Sequence, residues 1–296
     1  MNGAVGPWSR SLRGERDLEP GSRLEGKQMA SPPPPRSSFS RDIGRSVFGS
    51  DIEGYEAIRP GYPDDLFAMI AARTAARDLF GEIGPGTGLA TAGLLKLEPA
   101  RFIGFEPDNA LAGFLGSRFP AIEVVNDDFC SAGVGGQFDL IASASSFHWL
   151  DAGAALRKAH QLLVSNGCLA IWWNVYRETG IGDPFAEAVT PLLLDLDLPP
   201  SQTAEHHYGL DQHHHFGCLQ SSGFVDLEFH LFRRERTLSP AQARALYSSF
   251  SLVRILPEPR REALLDAISD IVVDQFGGAA PSVLLTPLYL ARKPSR

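Results

Sequence analysis

Apolar residues in this chain gather into short, nearly continuous runs separated by stretches with helical spacing. Asp78 to Lys96 reads as strand, turn and helix, the helix over Leu89–Lys96. Arg101–Phe105, Ile122–Val125, Phe138–Ala142 and Cys168–Trp173 follow as further strands. Runs this short and uniformly apolar suit strands buried on both faces. Ala110–Arg118 and Ala152–Leu163 supply helices between them. An earlier helix spans Asp64–Arg77, capped by Asp64 and apolar at Leu66, Met69 and Ile70. The alternation predicts an α/β fold, a Rossmann-like parallel sheet with helices on both faces.

After Trp173 the pattern changes. Gly180–His215 is rich in Leu, Pro and His and reads as a cap inserted over the sheet edge. Val225–Arg233 alternates at Val225, Leu227, Phe229 and Leu231 and predicts a sixth strand. Ser239 and Pro240 open a helix that runs to about Phe250, and a second runs from near Glu258 to Phe276 before Gly277 and Gly278 stop it. Ser282–Ala291 is the last strand, in which Pro287 predicts an edge position or a bulge. Residues 1–44 are rich in Gly, Ser, Pro and Arg and read as a disordered extension, leaving 45–296 as one domain with a cap at about 180–215 and a helical segment at about 238–277.

The turn at Phe80–Thr91, FGEIGPGTGLAT, carries the candidate chemistry. Gly84, Gly86 and Gly88 permit a tight bend and let a ligand lie against bare main chain. A dinucleotide fingerprint is G-x-G-x-x-G, and Leu89 stands where its last glycine belongs. Glu82, read as a carboxylate at the mouth of the turn, would repel a pyrophosphate and attract a sulfonium or ammonium group. Acidic residues also follow the second and third strands, at Glu106-Pro107-Asp108 and at Asp127-Asp128-Phe129. Ligands of open α/β sheets bind at those strand ends. Glu106 is 20 residues beyond Gly86, the spacing of a ribose-binding carboxylate.

Charge and composition narrow the partners. The 296 residues are 44% hydrophobic, with a formal net charge of −8. The first 46 residues hold eight Lys/Arg against five Asp/Glu, so the remainder is more acidic than the whole, which disfavours nucleic acid and favours a small-molecule substrate. No membrane-spanning run occurs. Cys130, Cys168 and Cys218 form no C-x-x-C pair, arguing against a structural zinc and for a reducing cytoplasm. Five histidines lie within residues 206–215 without a metal-ligand pattern, so no metal is expected.

The segments YEAIRPGYP (55–63), EIGPGTG (82–88), FEPD (105–108), DDF (127–129) and FDLIASASSFHWLD (138–151) together resemble the class I S-adenosylmethionine-dependent methyltransferases, in particular small-molecule enzymes of the trans-aconitate methyltransferase-like group. The resemblance covers roughly Phe48 to Lys293. It implies a seven-stranded sheet with an antiparallel last strand and S-adenosylmethionine as cofactor. Glu82, Gly84 and Gly86 would hold its methionine part, Glu106 its ribose, and Asp128 with Phe129 its adenine. The family usually has Gly where Asp127 stands, which leaves open which aspartate meets adenine. Ser143 or Ser145 would line the floor, and Tyr55 and Arg59 would close over the cofactor. His148 and Trp149 would face the methyl and the acceptor, His148 as candidate base for a hydroxyl or amine. Tyr247, Phe250 and Arg254 are candidate substrate contacts. The acceptor is a carboxylate, hydroxyl or amine, and oligomeric state is invisible. Two other readings stand beside this one: a catalytically inactive cofactor-binding protein that acts through a partner, and a nicotinamide oxidoreductase.

Overall fold

A computed structural model of the protein describes residues 58–178, 180–196 and 207–295. The expected disordered extension over 1–44, Tyr55 and His206 lie outside the described residues. Seven strands form one sheet in the order β3-β2-β1-β4-β5-β7-β6. They are β1 (Leu79–Ile83), β2 (Arg101–Phe105), β3 (Glu123–Val125), β4 (Phe138–Ala144), β5 (Leu163–Trp172), β6 (Val225–Leu238) and β7 (Ala280–Arg292). The first five pair in parallel, and β7 runs antiparallel to both of its neighbours. This is the Rossmann-like sheet that the alternating pattern predicts.

Helices α1 (Asp64–Arg73), α2 (Thr91–Leu95), α3 (Asn109–Arg118) and α4 (Ala152–Leu162) connect or flank the parallel strands. Side chains alternate across the sheet, so each strand feeds two cores. Ile83, Phe105, Phe138, Ile141 and Ile171 pack on one face with Leu156 of α4, and Phe80, Phe102, Leu140 and Trp172 pack on the other with Leu66 and Ile70 of α1. Asp108 caps α3 through the amides of Ala110 and Leu111, and Asp151 caps α4 through that of Ala154. These caps place both helix starts directly after the carboxyl ends of β2 and β4.

A third core lies beyond the sheet edge. Phe185 and Val189 of α5 (Pro184–Val189) meet Leu246 and Tyr247 of α7 (Pro240–Ser248), Leu252 of α8 (Ser251–Arg254), and Leu265, Ile268 and Val272 of α9 (Glu258–Phe276). The region expected as a cap is in part this helix α5 and in part α6 (Gln212–Ser221), which packs on the opposite side against α4 and β6.

The last two strands correct the sequence reading. β6 continues to Leu238, paired in register with β7 down to Ala280, whereas β5 pairs with β7 only as far as Trp172↔Leu288. The β6–β7 ribbon therefore overhangs the carboxyl edge of the sheet. Pro287 is neither at an edge nor at a bulge, because β7 lies between β5 and β6. It faces Trp173, whose amide donates to the Pro287 carbonyl at 3.3 Å. Proline has no N–H to return that bond. The ladder resumes at Val175 and Leu285, which exchange bonds of 2.8 and 3.0 Å. The missing donor falls where β5 is already leaving the sheet, so an interior proline is tolerated.

Candidate functional site

The carboxyl ends of β1, β2 and β4 surround a cleft with about 1000 Å³ of empty space, counting its part open to solvent. Strand β1 is buried along its whole length, so the chain leaves the sheet at Gly84 with no room to spread. Gly84 and Gly86 have φ of +63° and +59°. A Cβ on Gly84 would lie 2.7 Å from Ser146, while one on Gly86 would meet nothing within 4 Å, so its main chain faces open space. Both line the cleft with Pro85 and Thr87. Gly88 does not: a Cβ there would run into the Phe119 ring at 2.3 Å, and its role is helix packing.

Glu106 and Pro107 line the cleft, with Asp108 beside them. Glu106 is 4% exposed, and its carboxylate accepts from the Gly86 amide at 2.9 Å and the Asp108 amide at 3.0 Å. It thus ties the glycine turn to the end of β2. Asp128 and Phe129 line the same cleft, whereas Asp127 points away, accepting from the Asp128 amide and Ser131 Oγ. Of the two aspartates only Asp128 is placed to meet a ligand. Phe129 is buried, its ring edge-on to Phe105 at 5.1 Å.

The end of β4 completes the wall. Ser145 lines the cleft with φ of +54°, a conformation that costs a non-glycine residue energy and persists only when neighbours hold it. Three contacts do so: its amide donates to the Trp172 carbonyl at 2.8 Å, and its Oγ meets Tyr62 Oη and the Asn174 amide, each at 3.2 Å. Ser143 is fully buried beneath and outside the lining. Ser146 Oγ donates to the Ile83 carbonyl at 2.6 Å and pins β4 to the glycine turn. Trp149 forms part of the far wall.

Three sequence expectations need correction. Glu82 does not stand at the mouth of the turn. It is fully buried behind it, within a strand that has no exposed face. Its Oε2 accepts from Thr91 Oγ1 at 2.6 Å and its Oε1 has no partner among the described residues. Burial foremost, with Glu106 as a smaller cause, pushes its pKa up to about 8. The group is therefore mostly protonated at neutral pH and exerts little charge on the cleft. Arg59 does not line the cleft either. Its Nε donates to Ser249 Oγ at 2.9 Å and its Nη2 to the Ser249 carbonyl at 3.0 Å, and its guanidinium lies 4.8 Å from the Tyr176 ring centre and 4.6 Å from that of Phe250.

His148 is the third. It stands outside the cleft lining, where its Nδ1 accepts from the Trp173 indole N–H at 3.2 Å. Indole can only donate, so the neutral ring carries its proton on Nε2. Burial, with His207 nearby, holds the pKa down at about 3. Neither nitrogen is then free to take a proton, and His148 is not placed as a base. His207 and His215 are structural in arrangement. His207 Nδ1 accepts from the Gly209 amide at 3.0 Å, and His215 packs between Trp173, Tyr208 and Tyr289. Among the described residues no group of three His, Cys, Asp or Glu side chains could hold a metal ion. No described helix is long and apolar enough to cross a membrane.

Sequence reasoning places Asn174 at the ligand edge of the sheet, after the fifth strand, but gives it no role. Its Nδ2 donates to the Pro60 carbonyl at 2.9 Å, and its Oδ1 accepts from Thr286 Oγ1 at 2.8 Å and Arg234 Nη2 at 3.3 Å. One side chain thus joins the approach to α1, the end of β5, β6 and β7. The available signal was its position, directly after the fifth strand run at the expected ligand edge.

Comparison with known proteins agrees with this geometry. Residues 81–171 match the family described as Methyltransferase domain. The chain is similar to an uncharacterized methyltransferase of Schizosaccharomyces pombe, 26% identical over 78% of this chain and 88% of that protein. Among solved structures it resembles an Anaeromyxobacter dehalogenans protein assigned as a type II methyltransferase, with a TM-score of 0.60 and 19% identity over 80% of this chain and 99% of the other. It also resembles a Haemonchus contortus phosphoethanolamine N-methyltransferase in complex with phosphomonomethylethanolamine and S-adenosylhomocysteine, with a TM-score of 0.52 and 13% identity over 85% of this chain and 60% of that one. The segment 81–171 is thus similar to the Methyltransferase domain family, and the chain has the Rossmann-like α/β fold of the methyltransferases it resembles.

Proposed function

We propose that the protein binds S-adenosylmethionine in the β1–β2–β4 cleft and transfers its methyl group to a small-molecule acceptor. One observation carries the reading. The cleft wall contains three carboxyl groups, from Glu106, Asp108 and Asp128, and no Lys, Arg or His among the described residues. Such a wall repels a pyrophosphate and accepts a nucleoside whose charge is positive. It therefore favours S-adenosylmethionine over a nicotinamide dinucleotide, and it does so without the charge first assigned to Glu82.

The residues present fit that cofactor. The open main chain at Gly86 suits the methionine part, Glu106 the ribose hydroxyls, and Asp128 with Phe129 the adenine amino group and ring. When bound, S-adenosylmethionine would supply an electrophilic methyl: the acceptor's lone pair would bond to that carbon as the C–S electron pair returned to sulfur, and an O–H or N–H acceptor would release its proton to solvent water. The chain's contribution is alignment and exclusion of water. Tyr62, Ser145 and Trp149 line the cleft, with Ser145 linked through Asn174 to Arg234 of the overhanging ribbon, and holding two reactants in line can supply much of a rate enhancement. With His148 tied to Trp173, an acceptor that is already an anion needs no base at all. Trp149 positions the acceptor in this reading.

Equilibrium titration of the full chain with S-adenosylmethionine, S-adenosylhomocysteine and NADH, read by tryptophan fluorescence, tests the proposal. Saturable binding of the first two and none of the third is the expected result. Preferential binding of the dinucleotide would sink it.

A further inference from the structure

The overhang of the β6–β7 ribbon carries a second charged region, opposite in sign to the cleft. Arg234 and Arg236 alternate with Glu235 along β6 and so share one face of the ribbon. Both pair with β7 residues, Leu284 and Ser282, that lie past the last rung of β5. They stand above the carboxyl edge of the sheet. Arg234 Nη2 donates to the Gly61 carbonyl at 2.8 Å and to Asn174 Oδ1, but its Nε is buried without an acceptor among the described residues. Arg236 lies with its guanidinium 5.4 Å from the Tyr176 ring centre, and both its Nε and its Nη2 are buried without an acceptor among the described residues. Arg59 approaches the same Tyr176 ring. The nearby carboxylate, Asp183, is already occupied by the amides of Ala186 and Val283 and by Ser282 Oγ.

Buried N–H groups are paired in the great majority of cases, and a guanidinium cannot shed its proton to escape the cost. Three unmet donors on adjacent arginines, in a chain of net charge −8, lack an acceptor of a specific kind. A planar or tetrahedral oxyanion would satisfy the donors and neutralise the charge together. A relay of hydrogen bonds links the location to the cleft: Arg234 donates to Asn174 Oδ1, the Asn174 amide donates to Ser145 Oγ, and Ser145 lines the cleft.

We propose that Arg234 and Arg236, over the Tyr176 ring, bind the carboxylate or phosphate group of an acidic methyl acceptor and hold it against the cofactor cleft. This deepens the methyl-transfer reading and rests on it. The two arginines are then specificity-determining residues for the acceptor and have no part in holding the cofactor.

The test uses the full chain loaded with S-adenosylhomocysteine, titrated by calorimetry with succinate and, separately, with inorganic phosphate. At least one probe binds the wild type, and the arm that binds names the oxyanion. Arg236→Gln and Arg234→Gln each weaken that binding by about tenfold or more, Arg236→Lys by less, and S-adenosylhomocysteine affinity stays within about twofold in all three. The unchanged nucleoside affinity also shows that each variant is folded. If S-adenosylhomocysteine binds and neither probe does, or if Arg236→Gln binds the probe as the wild type does, the inference falls and the cofactor reading survives. If S-adenosylhomocysteine itself fails to bind the wild type, both fall.

Discussion

The cofactor cleft and the arginine rim sit on the same edge of one sheet and are built in opposite ways. The cleft comes from local sequence. Its glycine turn, Glu106 and Asp128 each directly follow a strand, and parallel pairing brings the strand ends together. It is lined by acidic groups whose hydrogen bonds are largely met by nearby amides. The rim comes from distant segments, with Arg59, Tyr176 and Arg236 meeting across the chain, and Arg234 and Arg236 there have donors unmet among the described residues. Under the proposed function the difference divides the labour: a preformed wall for the cofactor, and buried, unsatisfied arginine donors for the anionic group of the acceptor.

The sharpest way to break this comparison is at Glu106. Glu106→Ala removes the acceptor for both the Gly86 and the Asp108 amides and one carboxylate of the wall. The ribose hydroxyl contact proposed for this carboxylate is a hydrogen bond to a charged group, worth about 1.5–3 kcal/mol, so S-adenosylhomocysteine affinity falls about 10- to 100-fold. Near-wild-type affinity in a fluorescence titration would mean that the cleft does not hold the nucleoside. The Arg236→Gln variant is the converse experiment, losing the anionic probe and keeping the nucleoside.

The same division explains what was legible beforehand. The sheet, the glycine turn, Glu106, Asp128, Phe129, Ser145 and Trp149 are signalled by residues a few positions apart, because a strand end and its turn are contiguous. The role of Asn174 was not, since its partners Pro60, Arg234 and Thr286 are each 60 or more residues away. Arg59 was assigned to the cofactor by its place in RPGYP, but its side chain turns to Ser249, 190 residues on. Glu82 was legible in kind and misread in depth. A polar residue inside LFGEI, with all five positions buried, has no exposed face to occupy. The length of β6 was hidden because the apolar alternation that marks the strand ends at Leu231, and Arg233 to Arg236 are all charged. Those residues are paired along one edge only, the other being open, so charge is tolerated there.

Glu82 sharpens the comparison through pH. Its folded pKa is raised to about 8 from 4.5, so the folded state holds a proton that the unfolded state gives up. That stability is fully present below about 4.5 and is lost as pH rises through 8. Glu82→Gln removes this dependence. In ligand-free protein the variant melts like the wild type at pH 5 and at a higher temperature at pH 8, while parallel curves would show that Glu82 is ionised when folded. His148 and His207 act in the other direction. Both are held down at about 3 from an ordinary 6.5, so the unfolded state binds more protons between those values and stability is lost as pH falls from 6.5. His148→Phe removes part of this acid sensitivity. With no catalytic proton transfer to lose, its turnover on a hydroxyl or amine acceptor stays within about threefold of wild type, where a general base would cost roughly 100-fold or more. A loss of that larger size, with a shifted pH–rate profile, would restore the base that the Trp173 contact rules out.

The smallest effect separates the regions by stability alone. Ser239 caps α7 through the Gln242 amide, and the Gln242 side chain accepts from the Ser239 amide in return. Helix α7 carries Tyr247 and leads to Ser249, which anchors Arg59 beside Tyr176. Ser239→Ala costs about 1 kcal/mol, the usual worth of an N-cap. That lowers the melting temperature by roughly 2–4 °C in a chain of this size. The cap is remote from the glycine turn, so S-adenosylhomocysteine affinity is unchanged. Any functional loss appears in the affinity for the anionic probe, because fraying of α7 loosens the support of the arginine rim. A variant that weakened the nucleoside first would mean that the two regions share their support, and the division drawn between them would fail.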